Sequence, residues 1–520
     1  MSNARIHARN LAANWIGHGA SLVVLFFLSP FMVRTLGKTE YGIWSLLMVL
    51  TGYMGLFDLG ARASTGRFIT YYLGKEDHTA LGETVRTGLG FFSAVGVLIL
   101  GAGVVLGMAF PHFFPSAPQE YHGLVVILLP VLAINLWFSG IAAVFSSVLT
   151  AHDRFDLTRG VDLGVLALRT VGTVLALVWG YGIVGLAIVT LGCQVVALAG
   201  NWFFAKRVYR RLVAWPPQMV RSRLKELIRY GVAVFLSRIG YLIIGRTDLV
   251  VVGALIGVSA VTTYSIGAML VYYSWTFVTL IASTLFPSLQ RSAARGEDGA
   301  VRWIFFRQLR LCFLFGLLAY VGFIVFGQSF INLWMKGPEF PEASVAKAAV
   351  VMAVLSAAQL LALPGVAASA MHTAKNRVWF SASITMAEAI ANLGLSLFFV
   401  IWMDWGLAGV ALGTLVSAGL MRTIVKPWNA CRLARVRTSE LLKLAAAALL
   451  SAIVFGGWCV LIRALLPAAE SWGLFALQVG LAVAGYVPLA LVFLIPRSDR
   501  ERIVRPVRAL IARRQTPSEP

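Results

Sequence analysis

Between Leu11 and Ile495 the chain is a succession of apolar runs, most of about 20 residues or more, each able to cross a hydrocarbon core of roughly 30 Å as a helix. That recurrence limits the fold to very few options. Lipid offers no partner to a bare peptide group, so only helices and closed barrels can span it, and the short alternation of a barrel strand is absent. With 59% hydrophobic and 13% charged residues, the sequence reads as an all-α polytopic membrane protein.

Charge, Pro and Gly divide the apolar sequence into fourteen expected spans, from 11–33 and 41–66 at the start to 441–466 and 472–495 at the end. The distribution of basic residues tests that count. Five Lys and Arg fall in one set of connections (Arg34, Lys38, Lys336, Lys347, Arg463) and four lie within spans (Arg62, Arg169, Arg238, Arg246), leaving 35 of the 44 on the other side. A bias of this size implies an even number of spans with both termini cytoplasmic. It also accounts for the net charge of +22 without nucleic acid, since no basic domain interleaved with aromatics is present. The first apolar run lacks a small-residue cleavage site after it and reads as a retained span rather than a signal peptide.

A long basic connection, Lys206 to Arg229, separates two halves of similar size. Leu36-Gly37 and Lys75-Glu76-Asp77 in the first half answer to Ile256-Gly257 and Gly296-Glu297-Asp298 in the second. Gly182-Ile183-Val184-Gly185-Leu186-Ala187 likewise matches Gly406-Leu407-Ala408-Gly409-Val410-Ala411, offset by 224 residues. Two six-helix lobes in parallel repeat follow, because an even span number returns the second copy in the same topology. The expected organisation is an N-lobe at 1–215, a C-lobe at 216–437, two further spans in 438–496 and a basic cytoplasmic tail at 497–520.

The sequence gives no nucleotide-binding loop, paired-His metal motif or nucleophile elbow in a suitable context, and no ATPase domain. Its four cysteines lack ligand spacing and read as packing residues, while Gly88, Gly90, Gly253 and Gly257 read as helix-packing positions. The informative residues are ionisable ones inside spans: Asp58, Arg62, Asp162, Arg169, Arg238, Arg246, Asp248 and Glu388. Each is costly in lipid and belongs in the protein interior, a watery cavity or the interface.

Asp58 and Arg62, four apart, share a face of a continuous second helix, as a salt bridge or an inner gate. Arg169 lies near mid-span and either meets substrate or pairs with another helix; Asp162 is too far along the axis for direct contact. Arg238 and Arg246 flank one cavity, with Asp248 pointing elsewhere. Glu388, with Asn392 one turn on, suits either proton coupling or a structural hydrogen bond, and His18 either function or packing. Arginines on both lobes, if they face one cavity, imply an anionic cargo, and phosphate or pyrophosphate matches the guanidinium fork. Arg169, Arg238, Arg246 and Arg62 are therefore the substrate-binding candidates; Asp58, Glu388 and Asp248 are the coupling or gating candidates. No cofactor is called for beyond possible H+ or Na+ coupling.

Through Asn10, Pro30, Leu36-Gly37, Tyr41-Gly42, Phe57-Asp58-Leu59-Gly60 and Arg67 the sequence resembles the polysaccharide-transporter branch of the multidrug/oligosaccharidyl-lipid/polysaccharide flippase superfamily. The resemblance implies a V-shaped pair of six-helix bundles around a central cavity, plus two extra helices. It implies as cargo an oligosaccharide on undecaprenyl pyrophosphate, flipped across the bacterial inner membrane for O-antigen or exopolysaccharide assembly, with a polymerase and chain-length machinery as partners. Fourteen spans fit this branch or the lipid II flippases better than the drug antiporters, which generally have twelve. A cation-coupled multidrug antiporter is the competing transporter. A membrane glycosyltransferase or polymerase is the competing enzyme, disfavoured by short outer connections.

Overall fold

The computed structural model describes residues 3–495, with side chains described from residue 19 onward except 232–234, 236–238 and 241. The basic tail expected at 497–520, and the side chains of His18 and Arg238, lie outside the described residues. Twelve helices among the described residues are long and apolar enough to cross a membrane. The first of these, Gly19–Asp58, overlaps both of the first two expected spans.

The chain divides into two compact units, residues 1–265 with 337–341, and residues 266–336 with 342 onward. The first unit contains α1 (Asn3–Met54), α2 (Ala61–Gly74), α3 (His78–Phe113), α4 (Gln119–Ala151), α5 (Phe155–Val178), α6 (Gly182–Val208) and α7 (Arg221–Leu255). Helix α8 (Val258–Ser283) begins in this unit and runs into the second. There follow α9 (Phe286–Ala294), α10 (Asp298–Met335), α11 (Glu342–Ala374), α12 (Val378–Ile401), α13 (Gly406–Leu420), α14 (Lys426–Leu433), α15 (Thr438–Leu465) and α16 (Trp472–Phe493). Outward faces carry large apolar side chains such as Phe27, Val105, Leu465 and Val492, as lipid-facing helices require.

Two helical runs meet within α1 at Gly37, whose backbone is left-handed at φ 73°. The connection expected between the spans at 11–33 and 41–66 is thus compressed to this one kink. The second run ends in a 3₁₀ turn, Gly55–Asp58, and α2 starts only after Leu59 and Gly60, both at positive φ. This corrects the continuous helix expected across 41–66. The break lets two backbones touch: a Cβ on Gly60 would stand 2.3 Å from the Gly231 carbonyl oxygen of α7.

The internal repeat is written in the turns. Positive φ recurs at Gly37 and Gly257, Glu76 and Gly296, Asp153 and Asn376, Gly180 and Asp404, and Gly182 and Gly406. Helices α5 and α12 are both 24 residues long, and each packs on the helix that follows it. Left-handed residues terminate helices because they turn the chain while their amides return to the last carbonyls. Repeated terminators therefore fix repeated helix lengths. Of the glycines expected to pack helices, Gly88 abuts Thr65 and Val144, and Gly253 abuts Leu46 and Phe114, whereas Gly257 is a turn at φ 138°. All four cysteines are buried and free.

Candidate functional site: a basic cavity in the first unit

Helices α1, α2, α4, α5 and α6 line a half-open cavity of about 410 Å³. Its polar lining follows helical arithmetic. Ser139 and Ser146 on α4, Asp162 and Arg169 on α5, and Gln194 and Asn201 on α6 are each seven residues apart, two turns on one face. Ser21, Arg62 and Arg159 complete the polar set among the described residues. Three guanidiniums against one carboxylate leave the lining with an excess of positive charge.

The three arginines are held differently. Arg62 Nε lies 3.4 Å from Asp58 Oδ2, while its Nη1 donates to Ser139 Oγ at 3.0 Å. Asp58 is itself fixed by the Gly60 N–H, which donates to its Oδ1 at 2.7 Å. The break at Leu59-Gly60 thus supplies the amide that orients the carboxylate. The expected ion pair exists, although its two residues belong to a 3₁₀ turn and a new helix rather than to one helix face. Arg159 Nη1 donates to Asp162 Oδ2 at 3.1 Å, one turn along α5. Arg169, next to the buried Cys193 thiol, has no carboxylate within 4 Å among the described residues. Its charge faces the cavity uncompensated by a local partner. Asn201 Nδ2 donates to the Ala197 carbonyl at 2.8 Å, and its buried Oδ1 has no hydrogen-bond partner among the described residues.

The other candidates lie elsewhere. Arg246 is exposed on α7 and does not line this cavity. Asp248 is buried and accepts from the Tyr264 hydroxyl at 2.6 Å. Glu388 belongs to the second unit, where Arg422 Nε approaches its Oε1 to 2.6 Å. Lys426, also buried, donates to Thr385 Oγ1 at 2.8 Å, and Asn392 Nδ2 to Thr414 Oγ1 at 2.8 Å.

Arg422 and Lys426 lie towards the basic flank of their span, where cations are ordinary, so hydropathy does not single them out. Pro427 was the available signal. Lacking an N–H, it cannot bond the Thr423 carbonyl, and Met421–Val425 widen into a π-helical turn just before it. That turn carries Arg422, which lies over the Trp275 ring at 5.4 Å. The polar residues of α4 and α6 were missed for another reason: uncharged side chains barely disturb hydropathy, although their seven-residue spacing was readable.

The fold and cavity define a polytopic helical membrane protein with the fold of the multidrug/oligosaccharidyl-lipid/polysaccharide superfamily. Among solved structures, the chain is similar to the lipid II flippase MurJ in an inward closed conformation, with a TM-score of 0.71, 14% identity, and coverage of 94% of this chain and 98% of that one. It is also similar to an inward-facing multidrug resistance MATE family transporter, with a TM-score of 0.66, 16% identity, and coverage of 79% and 96%. Among curated proteins it is 22% identical over 426 residues to the probable low-salt glycan biosynthesis flippase Agl15 of Haloferax volcanii, covering 80% of this chain and 81% of that protein. The model of the polysaccharide biosynthesis protein family matches residues 31–337, and the chain belongs to that family.

Proposed function

We propose that this protein is a flippase that moves an undecaprenyl-pyrophosphate-linked oligosaccharide from the cytoplasmic to the periplasmic leaflet of the bacterial inner membrane, by alternating access. The observation that carries this reading is the cavity in which Arg62, Arg159 and Arg169 converge with the hydroxyl and amide groups of Ser139, Ser146, Gln194 and Asn201. Guanidiniums recognise phosphoryl oxygens as bidentate, permanently charged donors, and amides and hydroxyls suit sugar hydroxyls. Family membership and the naming of Agl15 as a glycan flippase support the same cargo class.

In this reading both termini are cytoplasmic, and the driving force is an H+ or Na+ gradient or the gradient of the cargo itself. Asp58, Asp248 and Glu388 are the carboxylates available for coupling or gating. A multidrug antiporter for cationic drugs fits less well, because an excess of positive charge in the cavity repels such cargo.

Arg169→Ala tests the reading. With expression and membrane insertion verified, cells carrying the variant should lose surface polysaccharide while lipid-linked repeat units accumulate on the cytoplasmic side. Undiminished export would overturn the assignment of the cavity to the cargo.

A further inference from the structure

We infer that the connection between α6 and α7 is a membrane-docking surface, fitted to an anionic lipid leaflet. Helix α6 ends at Val208 and α7 begins at Arg221, so residues 209–220 start directly at the end of a membrane-crossing helix. From Lys206 to Lys225 the sequence has seven basic residues (Lys206, Arg207, Arg210, Arg211, Arg221, Arg223, Lys225) and no Asp or Glu. Arg223 is engaged by Glu83, its Nε donating to Oε2 at 3.0 Å. The other six are exposed.

This connection is held in place on one side. The Gln218 N–H donates to the Arg86 carbonyl at 3.2 Å, Arg86 Nε returns a bond to the Pro216 carbonyl at 3.0 Å, and the Val220 N–H donates to Thr87 Oγ1 at 3.3 Å. Lys206 Nζ donates to the Leu212 carbonyl at 2.9 Å, and Tyr209 and Leu212 are buried. The backbone that carries the outward side chains is therefore held in place. Those side chains are Val213, Met219 and above all Trp215, which is 80% exposed.

An indole held out of the protein between arginines at the end of a span has the chemistry of an interfacial anchor. Tryptophan partitions to the headgroup level, and basic residues beside it are drawn to anionic lipid, each by roughly fivefold in affinity. An acidic protein would satisfy the arginines, but the position at a span terminus brings lipid headgroups to this surface directly. The proposal does not depend on the cargo assigned to the cavity.

The full-length protein in nanodiscs supplies the test. All four native cysteines are buried, so Val213→Cys gives one accessible thiol for an environment-sensitive fluorophore with Trp215 intact. In phosphatidylglycerol-containing discs the emission should shift to the blue and be quenched by lipids brominated near the headgroup. Both effects should shrink severalfold in phosphatidylcholine discs, in high salt, and when Arg210→Gln and Arg211→Gln or Trp215→Ser is added. A probe that is unquenched in both lipids would overturn the inference. So would quenching indifferent to lipid charge, or a probe already shielded in detergent, which would point to a protein on this surface.

Discussion

The Arg422 guanidinium closes to 2.6 Å on the Glu388 carboxylate inside the second unit, linking α12 to the π-helical turn that precedes Pro427. By the internal repeat, α12 and α13 answer to α5 and α6, whose facing surfaces form the basic cavity of the first unit. The first pair leaves Arg169 open to a cavity, whereas the second sets its buried cations beside the Glu388 carboxylate.

Loss of the carboxylate tests that compensation. Glu388→Ala leaves Arg422 and Lys426 buried without their anion, and removing one partner of a buried pair costs about 3–5 kcal/mol. The variant should melt well below the native protein in detergent. Glu388→Met combined with Arg422→Met should recover much of the loss, since an apolar pair of similar volume replaces a buried ion pair at little net cost. A single variant as stable as the native protein would remove the ion pair as a stabilising element.

Arg169 separates charge from geometry. Lysine keeps the positive charge but offers a point cation in place of a planar fork. Arg169→Lys should therefore export polysaccharide at a level between Arg169→Ala and the native protein, and bind pyrophosphate more weakly than native. Equal function of the lysine variant would mean that the cavity supplies field alone.

Helical spans can be read from the sequence because hydropathy and helix terminators are local signals: Gly182 and Gly406, matched in sequence, also share a positive φ. The break at Leu59-Gly60 was hidden, since the apolar pattern runs through it and left-handed Leu59 has no compositional signature. Arg62 and Arg169 stood out as charges in lipid, and both line the cavity. Arg159 sits at the edge of its span, where a basic residue is ordinary, and Ser139, Ser146, Gln194 and Asn201 barely disturb hydropathy. Which charged residues meet across helices is decided by long-range packing, so the pairing of Glu388 with Arg422, 34 positions apart, was beyond reach.

Gly60→Ala should be among the most damaging small substitutions in the first unit. A side chain there must adopt φ 75° and place its Cβ 2.3 Å from the Gly231 carbonyl oxygen. The backbone conformation alone costs about 1–3 kcal/mol, and the clash must be relieved by moving α7. The same displacement would shift the Gly60 N–H from Asp58 Oδ1 and so loosen Arg62. Reduced thermal stability together with reduced export is expected, whereas Gly74→Ala, with open space around its Cβ, should leave both nearly unchanged.

Asp162→Asn is the substitution expected to strengthen binding. The Arg159–Asp162 pair is half exposed, and such pairs contribute about 0–1 kcal/mol, so the fold should tolerate its loss. What changes is the charge of the cavity: the only carboxylate lining it among the described residues disappears while Arg62, Arg159 and Arg169 remain. Arg159 is then released to meet a ligand. Binding of pyrophosphate to the detergent-purified variant, measured by calorimetry, should tighten and depend more steeply on salt, because more unscreened positive charge faces the anion. Turnover need not rise with it, since a cargo bound more tightly at the start of the cycle is released more slowly at the end. Weaker pyrophosphate binding by Asp162→Asn would instead place Asp162 among the groups that position the ligand, and would overturn the view that it competes with the anion for Arg159.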